Sequence, residues 1–256
     1  MADATTAPRK SRRWIAILAV VIVVAVGAVV AAEFIARSVV TSTVRSLVVK
    51  NVGLPDDQEL DVQVPGVVLP QLITGRLDEV TITSDDVTLG PITGDVFVDM
   101  RGVPVSGGAA AEGGTASVRL DEAQVRTLLA QIPDFPSGTV TMAAPDLTFT
   151  NDLSVFGIAI PVGVSVVPGA AGGDLTLTPS AFELGGNNID ADTLRAQFGG
   201  VADALLRTQS LCIADRLPAA LTLTTATVQD QTFVAVFDVA GGVLNDPALQ
   251  GDGSCS

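Results

Sequence analysis

The sequence contains no histidine and no tyrosine, a single tryptophan and only two cysteines among 256 residues. Without imidazole, the commonest general base and the commonest metal ligand are both missing, and no metal site is expected. Cations are scarce as well: 14 Lys and Arg stand against 28 Asp and Glu, a formal net charge of −14. The lone tryptophan, Trp14, sits in an apolar run near the N-terminus, so the rest of the chain offers no Trp or Tyr platform for a sugar ring. Hydrophobic residues make up 48% and charged residues 16%. That balance excludes a disordered chain and allows a sizeable core.

What is present begins with a long apolar stretch. Arg9, Lys10, Arg12 and Arg13 precede WIAILAVVIVVAVGAVVAA, residues Trp14 to Ala32, with no charge and no proline. As a helix this run is roughly 28 Å long, enough to cross a hydrocarbon core. The basic flank predicts a cytoplasmic tail over 1–13, a transmembrane helix over 14–32 and an exported domain over 33–256, on the extracytoplasmic side of the cell membrane. The alternative is a cleaved signal peptide, because Val30-Ala31-Ala32 resembles a small-residue cleavage site. Either way the body is exported. Without the four cations and Asp3, the body keeps 10 basic and 27 acidic residues, a net charge near −17. Such a surface repels nucleic acid. Cys212 and Cys255 form an even pair in an oxidising compartment and predict one disulfide, since GDGSCS is too polar to bury a free thiol.

Beyond the apolar run, Ala36, Val40, Val44 and Leu47 recur at helical spacing, giving one long helix or two joined near Glu33. The period then changes to two. Strands are expected over Glu59–Val64, Leu77–Leu89, Ile92–Val105, Thr115–Leu120, Thr139–Met142, Asp146–Asn151, Leu153–Val167, Asp174–Thr178, Leu221–Gln229 and Gln231–Gly241. Two helices interrupt them: EAQVRTLLAQI, with Asp121 as N-cap, and a segment from Asp192 to Arg207. The expected class is α+β, one exported domain with a long curved antiparallel sheet against helices.

Catalytic chemistry finds little support. The doublets Asp56-Asp57, Asp85-Asp86 and Asp121-Glu122 read as solvated turns and caps, because neighbours on a strand point to opposite faces. Asn188-Ile-Asp190-Ala-Asp192 resembles the start of a calcium loop, but Thr193 stands where the glycine is needed and Gly199 where the last acid is needed. No Gly-x-Ser-x-Gly and no phosphate loop occurs. The expectation is a non-enzyme with no cofactor.

One stretch carries more. LPQLITGRLDEVTI, residues 69 to 82, places the scarce cation Arg76 at a turn between two apolar segments. The longer stretch Val64–Leu89, preceded by an apolar helix and AEFIAR, resembles the LmeA-like phospholipid-binding family of actinobacterial envelope proteins. Leu217–Gly241 is similar to that family's closing proline-led hairpin, while Ser106 to Gly186 matches in pattern only. The resemblance implies a fold like the tubular lipid-binding superfamily and binding of phospholipid, phosphatidylinositol included. It also implies a role in lipoglycan or mannan assembly, with an envelope glycosyltransferase as partner. A non-lipid scaffolding protein of the envelope is the alternative.

If the sheet and helices enclose a hollow, one-face periodicity assigns its lining to Leu72, Ile73, Phe156, Ile158, Ile160, Phe233 and Phe237. Leu128, Leu129, Phe198 and Leu205 would close it from the helices. The same residues would equally make a solid core. Arg76 and Arg101 are the candidates for a headgroup phosphate, since arginine pairs bidentately with it. The competing role for Arg76 is an ion pair with Asp78 or Asp99.

Overall fold

A computed structural model describes residues 11–52, 54–55, 58–89, 92–106, 108–130, 138–155 and 158–255, without the side chains of 11–13, 51–52, 89, 92, 155, 158 and 201. Helix α1, Ser11–Val52, is a single unbroken element of 42 residues. Its valine-rich first half has modest intrinsic helix propensity. The run from Trp14 is nevertheless long and apolar enough to cross a membrane, a setting in which a helix satisfies every backbone group within the segment. The outer half buries Val40, with Ala36 and Val44 beside it, against Val64, Val68, Leu77 and Val80. Leu47, on the same stripe, stays exposed.

The domain is α+β, with two antiparallel sheets. The first contains β1 (Asp61–Gln63), β2 (Arg76–Leu89), β3 (Ile92–Pro104), β4 (Gly113–Leu120), β11 (Leu221–Gln229) and β12 (Thr232–Val239), in the order β1-β2-β3-β4-β12-β11. One row across it reads Ile82, Val98, Ala116, Phe237, Leu223; the next reads Thr81, Asp99, Thr115, Asp238, Thr222. The period of two therefore becomes an apolar inner face and a polar outer one. The inner face is covered at its β1–β2 end by α1 and by the short helix α2, Val68–Thr74. At the β4–β12–β11 end it meets the second sheet, through Phe237, Leu223, Ala170 and Leu175.

The second sheet contains β5 (Thr139–Ala143), β6 (Asp146–Val155), β7 (Ile158–Ala171), β8 (Asp174–Leu184), β9 (Asn187–Asp190) and β10 (Gln209–Leu211), in the order β10-β8-β7-β6-β5 with β9 on β8. A bridge between Gly173 and Leu223 joins the two sheets. Helix α3, Glu122–Leu129, follows β4. Helices α4, Ala191–Phe198, and α5, Gly200–Leu205, follow β9. A last turn, α6, spans Pro247–Gln250.

Several expectations are corrected. The apolar surface is divided between two sheets rather than lying on one. The break at Asp152 does not occur: Asn151 pairs with Val162 and Asp152 with Pro161, so Leu153 lies within β6, which runs on to Val155, rather than opening the next strand. The strand begun at Asp174 runs on to Leu184. The helix over 192–207 is two helices, because Gly199 at φ 52° and ψ −131° adopts a conformation that L residues avoid and no helix contains. Asp121 does cap α3, in a capping box with Gln124. Cys212 and Cys255 are disulfide-bonded, with Cα atoms 5.8 Å apart. The tail is further held by Gly253 N–H to Leu217 O at 2.9 Å and Ala219 N–H to Gly251 O at 2.8 Å.

Candidate functional site

The second sheet presents a row of large apolar side chains where the first sheet no longer covers it. Val140, Phe149 and Val164 lie opposite one another on β5, β6 and β7, and Val162 follows Val164 on the same face. Helix α3 roofs this face. Its start is fixed twice: Asp121 Oδ1 accepts from Gln124 N–H at 2.8 Å, and Glu122 Oε1 accepts from Met142 N–H of β5 at 2.7 Å. Val125 seats the helix in the cluster of Leu120, Met142, Leu147, Val166 and Val228.

Toward the C-terminus of α3, roof and sheet separate. The gap is a hollow of about 640 Å³ lined by Leu129, Ala130, Val140, Phe149, Val162 and Val164, with Thr139, Thr150, Asn151 and Arg126 at its edges. Its volume lies in the ~300–1,000 Å³ range of small-molecule sites. Arg126 is the cation of this lining, and it forms no ion pair among the described residues. The apolar face continues past the hollow: Leu184 lies across from Val162, and Leu153 across from Ile160. Leu153 and Leu184 are each more than half exposed there.

Helix α4 follows β9, whose last residue Asp190 pairs with Ala181 of β8. Asp190 caps it, accepting from Thr193 N–H at 2.7 Å and from the Thr193 hydroxyl at 3.0 Å. The backbone hydrogen bond from Thr193, then its side-chain bond, hold the Asp190 carboxyl below the ordinary aspartate range. The calcium-like string therefore serves as a helix cap.

Of the lining residues expected from sequence, Leu129 borders the hollow, and Ile160 continues the same strand face two residues from Val162. Leu128 and Phe233 are half-buried against the cluster beneath it. Phe237 is buried in the intersheet core, not in a cavity. Leu72 packs against α1, and Ile73 is 85% exposed on α2. Phe198 and Leu205 are exposed rather than enclosing. Phe156 and the side chain of Ile158 lie outside the described residues. Arg76 pairs with Glu112 at 3.6 Å rather than with Asp78 or Asp99. Arg101 is exposed on β3 opposite Glu79. Neither arginine lines the hollow. Sequence reasoning missed Val140, Phe149, Val162, Val164 and Arg126. The alternation of Val162 and Val164, and of Leu147 and Phe149, was the available signal.

A second, polar depression lies between Pro55, Gln58, Glu59, Asp61 and residues Thr83 to Asp86. No group of metal-binding side chains forms among the described residues.

An apolar hollow roofed by a helix, in a chain that opens with a membrane-length helix, is the arrangement of a binding protein for an amphiphile. Residues 31–234 match the LmeA-like phospholipid-binding family, and the chain belongs to that family. No curated protein and no solved structure matches it.

Proposed function

We propose that the protein is a membrane-tethered phospholipid carrier or sensor of the cell envelope that holds acyl chain between α3 and β5–β7 and performs no chemical step. The observation that carries this reading is the apolar hollow beneath α3, in a chain of a phospholipid-binding family. Burial of apolar area contributes about 25 cal/mol per Å², so a few hundred Å² of chain supplies several kcal/mol before ordering costs. Arg126, at the rim, replaces Arg76 and Arg101 as the partner for the headgroup phosphate. A charge-assisted hydrogen bond there adds about 1.5–3 kcal/mol. Leu153, Ile160 and Leu184 form the path by which the chain enters.

The wider role follows the family. Residues 1–13 are cytoplasmic, 14–32 remain as an uncleaved anchor, and 33–256 work on the extracytoplasmic side, where a disulfide persists. Phosphatidylinositol is the headgroup expected, and lipoglycan or mannan assembly, with a glycosyltransferase as partner, the process served. Mass spectrometry of solvent-extracted lipid from purified protein tests the reading. Diacyl phospholipid recovered in stoichiometric amount supports it; lipid-free protein with unaltered envelope lipoglycan on deletion contradicts it.

A further inference from the structure

We propose that the exported domain does not hang from a flexible tether but is seated on the outer leaflet of its own membrane. The seat is an apolar collar made by Phe34, Ile35 and Val39 of α1 together with Val67. The proposal rests on the reading of α1 as a retained anchor.

The uncharged run of α1 ends at Ala32, and roughly 28 Å of helix brings Glu33 to the hydrocarbon boundary. The helix does not break there. Instead the domain is bonded to it at that level. The Glu33 carboxylate accepts from Val68 N–H at 2.7 Å and Leu69 N–H at 2.9 Å. One turn later Arg37 donates to Val64 O and Gly66 O, both at 2.6 Å, and pairs with Glu33 at 3.3 Å. Segment 64–69 is thereby fixed against a single turn of helix. Val64 and Val68 are fully buried behind it.

The helix's apolar surface also continues past the boundary. At 100° per residue, Phe34, Ile35 and Val39 fall within one arc, with Ser38 between them. That arc lies opposite the Ala36, Val40 and Val44 face that packs on the domain. Phe34, Ile35 and Val39 are all more than half exposed, as is Val67, which adjoins the bonded N–H of Val68. Residues 33 to 39 rise about 10 Å, the depth to which apolar groups settle at the headgroup–acyl boundary. The whole domain is strongly acidic, but this seat is not: its two charges, Glu33 and Arg37, neutralise each other. The partner is therefore the lipid surface itself, recognised by apolar insertion rather than by charge.

Full-length protein in phosphatidylcholine vesicles, with an environment-sensitive fluorophore on single cysteines introduced by Val67→Cys, Pro65→Cys, Val24→Cys or Thr222→Cys, tests this. Pro65 is exposed on the same segment and repeats the measurement should Val67→Cys fold poorly. The labels at 67 and 65 are expected to lose roughly half their fluorescence to nitroxide lipids that quench ~5–10 Å deep, and to resist aqueous iodide. The label at 222, on the polar outer face of β11, should show the reverse. Labels at 67 and 65 open to iodide and untouched by nitroxide, with the label at 24 quenched from within the bilayer, overturn the seat and leave the anchor standing. A label at 24 that escapes bilayer quenching removes the anchor and the seat together.

Discussion

The Glu122 carboxylate, in the first turn of α3, accepts the backbone N–H of Met142 on β5 at 2.7 Å. That bond ties the roof of the hollow to its floor at one end, while the other end stays open at Leu129 and Ala130. Glu122→Ala removes a hydrogen bond to a charged acceptor and leaves the Met142 N–H without it. A loss of about 1.5–3 kcal/mol is expected. With a shift of about 2–4 °C per kcal/mol for a domain of this size, thermal unfolding resolves it. Glu122→Gln, which can still accept, should recover part of the loss.

The two arginines at apolar segments should behave differently. Arg76 and Glu112 form a solvent-exposed pair at 3.6 Å, so Arg76→Ala is expected to cost at most about 1 kcal/mol and to leave lipid affinity unchanged. Arg126→Ala should weaken phospholipid binding by about 1.5–3 kcal/mol without altering the melting temperature. Titration of both variants with the same lipid compares them. Unchanged affinity in Arg126→Ala would show that this arginine does not meet the headgroup.

How much of this was legible in the sequence depended on the range of the interactions. Asp121 as the α3 cap, the Cys212–Cys255 pair and the alternation of β12 are local or compositional signals, and each was readable. Helix α2 was not: its seven residues contain a proline, and what fixes its start is Glu33, 35 residues away from Val68. The break at Gly199 looked like an ordinary helical glycine because nothing in its neighbours reveals a positive φ. The place of the hollow was missed for a similar reason. Phe237 and Phe149 obey the same alternation, but the opposing sheet covers one and α3 only partly covers the other. Periodicity identifies the apolar face and cannot show where its cover ends.

The Cys212–Cys255 bond spans a sequence separation of 43. In the chain-entropy model such a loop contributes about 4 kcal/mol by restricting the unfolded chain. Cys255→Ser, or reduction of the wild type, should lower the denaturant midpoint accordingly and release the tail. Amide exchange at Gly253 and Ala219 should then quicken, since their hydrogen bonds hold the tail.

Asp190 sets an acid dependence for the start of α4. Its folded pKa is lowered by the Thr193 N–H, so its contribution to stability is present above the unfolded value, ~3.9, and is lost as pH falls through the lower folded value. Asp190→Asn keeps a cap acceptor but cannot titrate. The stability difference between wild type and Asp190→Asn should therefore be constant near neutrality and shrink below about pH 4. Urea unfolding at several pH values measures it; a difference that grows on acidification contradicts the assigned sign.

The measurement that bears most directly on the central claim is the phospholipid content of the Val164→Trp variant, read by native mass spectrometry beside the wild type. Val164 is half-buried on the floor of the hollow, so an indole there occupies space meant for acyl chain while the Glu122–Met142 bond and the intersheet core are untouched. Wild-type protein should carry diacyl phospholipid, and folded Val164→Trp should carry little or none. If the folded variant retains its lipid in full, the chain does not lie beneath α3 and the hollow is not the binding site.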